Sequence, residues 1–265
     1  MTTAKVALVR LLSRLPVLRS PVARRRLLDA RRAQLRRRRR RLEARGDARL
    51  SRPALHDMDR KLERHLDFDG GFFVEAGAND GYEQSNTYYL ERFRGWRGIL
   101  VEPIPELYEQ ARIERPAARV VNCALVAPDD AGSDVRMRYG GLMSLVAGAR
   151  GSEQADREWV AHVAQLGLED PYDVDVTSRT LSSVIDEAGA PAVDLLSLDV
   201  EGYEPQVLAG LDLERHAPRY VLVEIRDMAS GREPIEAALG ARYELVEELS
   251  PFDALYVRRD AGAVG

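Results

Sequence analysis

The fold is decided by one stretch of the chain, Phe72-Phe73-Val74-Glu75-Ala76-Gly77-Ala78-Asn79-Asp80-Gly81. It begins as an apolar run and ends in a turn that contains two glycines. A second apolar run, residues 98–101, ends at Glu102, which lies 21 residues beyond Gly81. In a strand–loop–helix–strand unit this spacing places a carboxylate opposite a ligand-binding loop. The pattern therefore predicts a site for a nucleotide-type cofactor.

The glycine turn favours S-adenosylmethionine over a dinucleotide. Gly77 and Gly81 allow positive φ and a close approach of the backbone to a ligand. We expect a helix directly after the turn, whose free N–H groups favour a carboxylate. A dinucleotide fingerprint requires glycines where this chain has Asn79 and Tyr82, which argues against NAD and FAD. Two acids flank the turn, Glu75 and Asp80, and they repel a diphosphate but suit a ligand with an ammonium and a sulfonium.

Further cofactor contacts are predicted where later strands end. Glu102 is placed to accept two charge-assisted hydrogen bonds from a ribose diol. Asn122 and Cys123 follow the third predicted strand, where they would border an adenine. The full predicted set of cofactor contacts is Glu75, Gly77, Asn79, Gly81, Glu102, Asn122, Cys123 and Asp199.

Three acids after the fourth and fifth predicted strands are the candidate catalytic residues. Asp199 stands at the tip of a strand, where it could hold the cofactor's ammonium, bind a cation, or remove a proton from an acceptor hydroxyl. It is the first choice as a base, with Glu224 and Glu201 behind it. Asp199 and Glu224 together could instead form an oxygen-rich Mg²⁺ site. The sequence leaves that alternative open, and we assign no metal ligand.

The composition predicts one soluble domain with appendages. At 265 residues and 45% hydrophobic content, the chain can bury a full core. Its single cysteine, Cys123, excludes a disulfide framework and a cysteine-rich zinc site. No apolar stretch approaches the roughly 20 residues that a membrane-spanning helix requires, and no secretory signal is recognisable. A reducing, cytoplasmic location is expected.

Charge divides the chain into two different parts. Residues 1–50 carry 17 Lys or Arg and three acids, which leaves 22 basic and 40 acidic residues in the remainder. We interpret residues 1–54 as an Arg-rich extension that is helical or partly disordered. Its unbroken run of cations, residues 36–41, is expected to face solvent because a core rejects unpaired charge. Contact with an anionic surface, either lipid or nucleic acid, remains open.

Apolar runs alternate with helical segments over the predicted domain, residues 55–260. Near-continuous apolar runs favour strands that are covered on both faces, and the last two favour an antiparallel hairpin. Residues 133–180 interrupt the alternation as a predicted insertion, a lid or acceptor-recognition element, in which residues 139–145 could line the acceptor pocket. The predicted strands are 72–76, 98–102, 119–125, 193–199, 219–225, 243–248 and 254–258, with 134–139 and 173–177 in the insertion. The predicted helices are 55–68, 84–94, 104–113, 153–165, 181–188, 203–210 and 232–239.

These motifs together resemble the FkbM family of S-adenosylmethionine-dependent methyltransferases. The matching pieces are residues 73–81, Val101-Glu102-Pro103, Thr180-Leu181, Asp199-Val200-Glu201-Gly202 and Val221-Leu222-Val223-Glu224. The resemblance implies a Rossmann-like class I methyltransferase fold, a mostly parallel seven-stranded α/β sheet with a C-terminal antiparallel hairpin. It also implies O-methylation of a small-molecule hydroxyl acceptor: a sugar, a glycan or a polyketide-type metabolite.

Two other functions compete with this interpretation. The first is an RNA-binding protein or RNA methyltransferase that uses the Arg-rich segment. The acidic remainder of the chain argues against it, because it would repel a phosphate backbone near the predicted crevice. The second is a nicotinamide-dependent oxidoreductase, which the missing glycines disfavour.

Overall fold

Strands form two sheets in the computed structural model, which describes residues 21–139 and 172–262 and a few positions between them. The strands are β1 (Phe72–Ala76), β2 (Arg97–Val101), β3 (Arg119–Val121), β4 (Ala124–Leu125), β5 (Asp134–Tyr139), β6 (Leu145–Val146), β7 (Tyr172–Arg179), β8 (Leu195–Leu198), β9 (Tyr220–Glu224), β10 (Tyr243–Glu248) and β11 (Asp253–Arg258).

The main sheet has seven strands in the order β10-β11-β9-β8-β1-β2-β3. Strand β1 pairs in parallel with both β2 and β8, and β9 continues in parallel from β8. Strand β11 is antiparallel to both β9 and β10. The expected mostly parallel α/β sheet with a C-terminal hairpin is therefore confirmed. The chain order reverses between β1 and β8, which is where open α/β sheets place a ligand crevice.

Both faces of the main sheet are buried, as the near-continuous apolar runs indicate. Neighbouring side chains of one strand point to opposite faces. Phe73 and Val74 accordingly belong to two different buried clusters, as do Leu195 and Leu196. These four side chains are at most 1% exposed. Helices cover both faces and close the two cores.

The helices are α1 (Pro21–Glu43), α2 (Met58–Leu62), α3 (Tyr88–Phe93), α4 (Pro105–Glu114), α5 (Leu181–Ala188), α6 (Glu204–Ala209), α7 (Leu213–His216) and α8 (Met228–Leu239). Helix α5 has the predicted bounds because its ends are capped. The Thr180 side chain accepts a hydrogen bond from the Ser183 N–H, and Gly189 ends the helix in the left-handed conformation. The predicted helix 55–68 is shorter than expected, a 3₁₀ turn at Leu55–Asp57 followed by α2.

A second, four-stranded sheet accounts for part of the predicted insertion. Its order is β4-β7-β5-β6, with β5 and β7 antiparallel. The single strand predicted over residues 119–125 is wrong: β3 stays in the main sheet, whereas β4 pairs with β7 in the second one. Residues 140–144 and most of the predicted helix 153–165 lie outside the described residues.

Helix α1 is not wholly solvent-facing, which corrects the expectation for residues 36–41. Arg39 is only 4% exposed and pairs with the carboxylate of Glu114. Arg40 donates to the carbonyl oxygen of Ile113 at 2.8 Å. A carboxylate partner makes the burial of this cation tolerable, and a charge run in sequence does not reveal such a partner. Over the described part of the chain, none of the helices combines the length and the apolar character needed to span a bilayer.

Candidate cofactor and acceptor site

A crevice lies where β1, β2 and β8 end, at the reversal of the strand order. It is open to solvent, and the space within it, counted together with that open region, is about 940 Å³. The predicted site residues that line it are Glu75, Gly77, Asn79, Glu102, Cys123, Asp199 and Glu201. Gly77 and Glu102, on which the cofactor interpretation depends, therefore share one cavity.

The turn after β1 is held against the neighbouring strand ends. The N–H groups of Gly77 and Ala78 both donate to the carbonyl oxygen of Val101, at 3.0 and 3.1 Å. Gly77 has a φ of +83°, and a Cβ on it would lie 1.8 Å from the carbonyl oxygen of Asp199. A glycine is therefore required at position 77 for a steric reason as well as a conformational one.

The loop that follows β1 is longer than predicted, because α3 begins at Tyr88 and not near residue 84. The carboxylate of Glu75 explains the delay. It accepts hydrogen bonds from the Asn86 N–H at 2.9 Å, from the Ser85 hydroxyl at 2.9 Å and from the Thr87 hydroxyl at 2.6 Å. Glu75 thus organises residues 85–87, and no helix N-terminus directly follows the glycine turn. The expectation of a helix directly after the turn is wrong.

Glu102 joins the end of β2 to the glycine turn. Its two carboxylate oxygens accept hydrogen bonds from the Asn79 N–H at 2.8 Å and the Ile104 N–H at 2.9 Å. Glu102 is 4% exposed, and burial raises its pKa to about 8 against the opposing effect of these two bonds. Each oxygen keeps a further lone pair, so the carboxylate can still accept from a ligand.

Two other predicted contacts lie outside the lining of the crevice. Gly81 faces α4, where a Cβ would lie 3.0 Å from the Cα of Ala111. The Asn122 amide donates to the carbonyl oxygens of Glu102 and Pro103, at 2.8 Å each. Both residues thus shape the walls of the site. Cys123 does line the crevice, and burial raises the pKa of its thiol to about 12, so the thiol stays neutral.

Carboxylates gather at the end of β8. Asp199 and Glu224 are hydrogen-bonded to each other, and burial is the first cause of a raised pKa in both. The neighbouring Glu224 raises the pKa of Asp199 further, while the pKa of Glu224 rises to about 7. Glu224 does not line the crevice itself. It is connected to the crevice by its hydrogen bond to Asp199, which does line it. Two like charges this close retain one proton near neutral pH.

The remaining acids of this cluster have partners of their own. Burial raises the pKa of Glu201 to about 8, although Arg226 donates to its carboxylate at 2.8 Å. Glu204 accepts from the N–H groups of Val200 and Gly202 at 3.1 and 2.9 Å. Carboxylate oxygens of Asp199, Glu204 and Glu224 lie within 4.8 Å of one another, but a metal would have to displace the proton that Asp199 and Glu224 share.

The charge of the crevice distinguishes between cofactors. Among the described residues that line it are the carboxylates Glu75, Glu83, Glu102, Asp199 and Glu201, and none of these lining residues is Lys, Arg or His. Such a site repels a pyrophosphate, because it offers no cation to pair with it. It suits a ligand that carries an ammonium and a sulfonium, so the residues present fit S-adenosylmethionine.

Several lining residues give no signal in the sequence. Ser85 and Asn86 reach the crevice only because Glu75 bends the loop toward it. Met137 lines it from β5 of the second sheet, and Tyr203 from the start of α6. Nothing in the local pattern around these two residues could have identified them, since the second sheet was expected only as an insertion.

Comparison with known proteins identifies the family. The family model of the methyltransferase FkbM domain matches residues 75–249. The 31-O-demethyl-FK506 methyltransferase FkbM of Streptomyces tacrolimicus is 30% identical over 222 residues, covering 73% of this chain and 82% of that protein.

Two solved structures are more distantly similar. A TehB-like SAM-dependent methyltransferase from Corynebacterium glutamicum is 15% identical, with a TM-score of 0.41 over 87% of this chain and 100% of that one. A precorrin-6y C5,15-methyltransferase from Geobacter metallireducens is 10% identical, with a TM-score of 0.40 over 77% of this chain and 87% of that one. The assignment rests on the family match, which spans more than half of the sequence, and on the relative from Streptomyces. The chain belongs to the FkbM family of S-adenosylmethionine-dependent methyltransferases.

Proposed function

We propose that this protein transfers the methyl group of S-adenosylmethionine to a hydroxyl oxygen of a small molecule, of the sugar, glycan or polyketide type. The observation that carries the proposal is the hydrogen-bonded pair of Asp199 and Glu224, whose first member lines the crevice. A hydroxyl is a poor nucleophile until its proton has an acceptor, and a carboxylate pair that titrates near neutral pH supplies one. The name of the relative from Streptomyces also denotes methylation at an oxygen.

The cofactor would lie along the ends of β1, β2 and β8. Its methionine end would lie beside Gly77, and Asn79 and Asp199 border the same space. Glu102 would accept hydrogen bonds from the ribose diol, and Cys123 would pack beside the adenine. When bound, S-adenosylmethionine supplies a methyl carbon activated by a sulfonium.

The chain's own residues would position the acceptor and take its proton. Alignment of reacting groups alone is worth roughly 7–11 kcal/mol. Asp199 would accept the hydroxyl proton, with Glu224 setting its protonation state. Glu201, fixed by Arg226, would border the acceptor and not exchange a proton with it. Mg²⁺ is not part of the proposal, because the geometry already pairs the acids with a proton and with backbone N–H groups.

The RNA alternative is less well supported. Arg39 and Arg40 are used to dock helix α1 on the domain, and the lining of the crevice is acidic. A phosphate backbone would find no cation to pair with among the described residues that line the site of chemistry. Small neutral or cationic acceptors meet no such barrier.

The test is a screen of glycosides and hydroxylated metabolites with an isotopically labelled methyl donor, run with Mg²⁺ and with EDTA. We expect an O-methylated product in both conditions and its loss in the Asp199→Asn variant. Asp175→Asn is the matched control, because Asp175 is an exposed acid on β7, paired with Arg136. A product methylated at nitrogen or carbon, or RNA as the sole acceptor, would overturn the proposal. Loss of activity in EDTA would overturn its metal-free form.

A further inference from the structure

The loop between β1 and α3, residues 77–87, contains backbone that must be held in place. Asn79 and Gln84 both line the crevice, and both have positive φ, +50° and +67°. Non-glycine residues in this conformation cost energy and persist only where the surroundings enforce them. The loop therefore needs contacts from outside itself to keep the shape of the crevice wall.

Glu102 and Glu75 supply some of those contacts, and others come from the N-terminal segment, which precedes the family match at residue 75. The guanidinium of Arg39 lies over the ring of Tyr82, 3.4 Å from its centroid. Tyr82 is the residue after Gly81, and its hydroxyl donates to the carbonyl oxygen of Leu50 at 2.7 Å. The N-terminal segment thus contacts the loop through both the ring and the hydroxyl of Tyr82.

The same arginine also holds the end of the loop. Arg39 Nε donates to the hydroxyl of Tyr88 at 2.9 Å, and Tyr88 is the first residue of α3. The Tyr88 hydroxyl in turn donates to the carboxylate of Glu43 at 2.9 Å. The rings of Tyr82 and Tyr88 meet edge to face, with centroids 5.0 Å apart. Residues 82–88 are therefore fixed at both ends by helix α1.

Arg115 binds the same loop from inside the domain. It donates to the carbonyl oxygen of Gly81 and to the hydroxyl of Ser85, each at 3.2 Å. Its sequence neighbour Glu114 is the acid that pairs with Arg39. One cation inside the domain and one on helix α1 thus hold the loop between them.

We propose that Arg39 is a positioning residue for cofactor binding: helix α1, through Arg39, holds residues 77–87 in the conformation that receives S-adenosylmethionine. The inference rests on the proposed placement of the cofactor in this crevice. The N-terminal segment is then a working part of the site, although it lies outside the family domain.

The test compares Arg39→Met with Arg38→Met in the full-length protein. Methionine keeps an apolar stem at position 39 but removes the cation over Tyr82, whereas Arg38 is exposed. Titration calorimetry with S-adenosylhomocysteine should give a Kd about tenfold higher for Arg39→Met, the size of a partly desolvated cation–π contact, and no change for Arg38→Met. Hydrogen exchange should quicken at residues 78–87 while the amides of β1 and β9 stay protected.

A double-mutant comparison separates positioning from a general loss of stability. In a Tyr82→Leu background, Arg39→Met should raise the Kd by a smaller factor than it does in the wild type, because part of its effect passes through the contact with Tyr82. If Arg39→Met does not fold, Tyr82→Leu removes the ring over which the cation lies and should raise the Kd about tenfold. If the wild type binds and Arg39→Met binds equally well, the positioning role alone is overturned. Where Arg39→Met does not fold, a Tyr82→Leu variant that binds as well as the wild type has the same consequence. A wild type that fails to bind overturns the proposed function itself.

Discussion

The carbonyl oxygen of Asp199 occupies the space that a side chain on Gly77 would need, 1.8 Å from the position of its Cβ. The same two strand ends are joined by a hydrogen bond of 3.1 Å from the Asp199 N–H to the carbonyl oxygen of Ala76. Gly77 belongs to the turn that would bind the cofactor, and Asp199 is the acid that would take the acceptor's proton. The backbones of these two residues are in direct contact. Cofactor binding and acid placement should therefore fail together when this contact is disturbed.

Gly77→Ala is the first test of that coupling. The new methyl group would clash with the Asp199 backbone, which cannot move as a flexible side chain could. We expect a loss of unfolding free energy of about 1–3 kcal/mol for the forced rearrangement, in addition to the strain of positive φ, and loss of S-adenosylhomocysteine binding. Urea unfolding and calorimetry measure the two effects.

Gly132→Ala is the matched control for conformational strain. Gly132 has a φ of +88°, and nothing lies within 4 Å of its would-be Cβ. Its substitution should cost only the left-handed conformation, about 1–2 kcal/mol, and leave binding unchanged. Equal losses of stability in the two variants, with binding retained in both, would show that the close approach at Gly77 is not important.

Arg115 should be among the most costly side chains to remove. It is fully buried, its Nε donates to Glu91 at 2.8 Å, and its Nη2 donates to the Thr87 hydroxyl at 3.0 Å. Arg115→Met would leave the buried Glu91 carboxylate without its cation, so we expect a loss of about 3–5 kcal/mol of unfolding free energy. The shift in urea midpoint checks this value.

Arg112→Met serves as the control for that experiment. Arg112 is on α4, which ends just before Arg115, and its pairing with Glu109 at 3.2 Å is exposed. Exposed pairs contribute about 0–1 kcal/mol. If the losses of unfolding free energy in the two variants differ by less than about 1 kcal/mol, the buried network does not stabilise the loop as described.

The Asp199–Glu224 pair predicts how the rate depends on pH. A carboxylate accepts a proton only when it is ionised, and the pKa of Glu224 is raised to about 7. The pKa of Asp199, the proposed base, is also raised, by burial and then by the neighbouring Glu224, so kcat/KM should rise about tenfold per pH unit while Asp199 is protonated and level off above its pKa. The profile is measured with the acceptor that the screen identifies.

The Glu224→Gln variant tests whether Glu224 raises the pKa of Asp199. With Glu224 uncharged, Asp199 loses a neighbouring carboxylate that raises its pKa. The rising limb should therefore move to lower pH. A flat profile between pH 6 and 8 in the wild type, or a limb that moves upward in the variant, is incompatible with the pair acting as the base.

Much of the fold can be predicted from patterns of residues that lie close together in the sequence. Apolar runs with two covered faces locate β1, β8 and β9, and the glycine turn places the crevice at the end of β1. The spacing to Glu102 correctly brings that acid into the same cavity. These features depend on residues that are close in sequence or on the regular crossover geometry of parallel strands.

What the sequence does not reveal depends on distant partners. The burial of Arg39 requires Glu114, 75 residues away, and a run of arginines by itself predicts solvent exposure. The late start of α3 depends on Glu75 binding residues 85–87. The split of residues 119–125 depends on Asn122, whose amide binds the loop after β2 and turns the chain between sheets.

The most direct test of the central claim is the affinity of S-adenosylhomocysteine for the wild type and for Glu102→Gln, measured by calorimetry. Glutamine is preferable to alanine, because its carbonyl oxygen keeps an acceptor for one of the N–H groups of Asn79 and Ile104, whereas alanine leaves both unpaired at a cost of about 1–3 kcal/mol each. Glu109→Gln, an exposed acid nearby, is the control. The account predicts a Kd that is about 10- to 100-fold higher for Glu102→Gln and unchanged for the control. An unchanged Kd in a folded Glu102→Gln protein would contradict the placement of the cofactor ribose in this crevice.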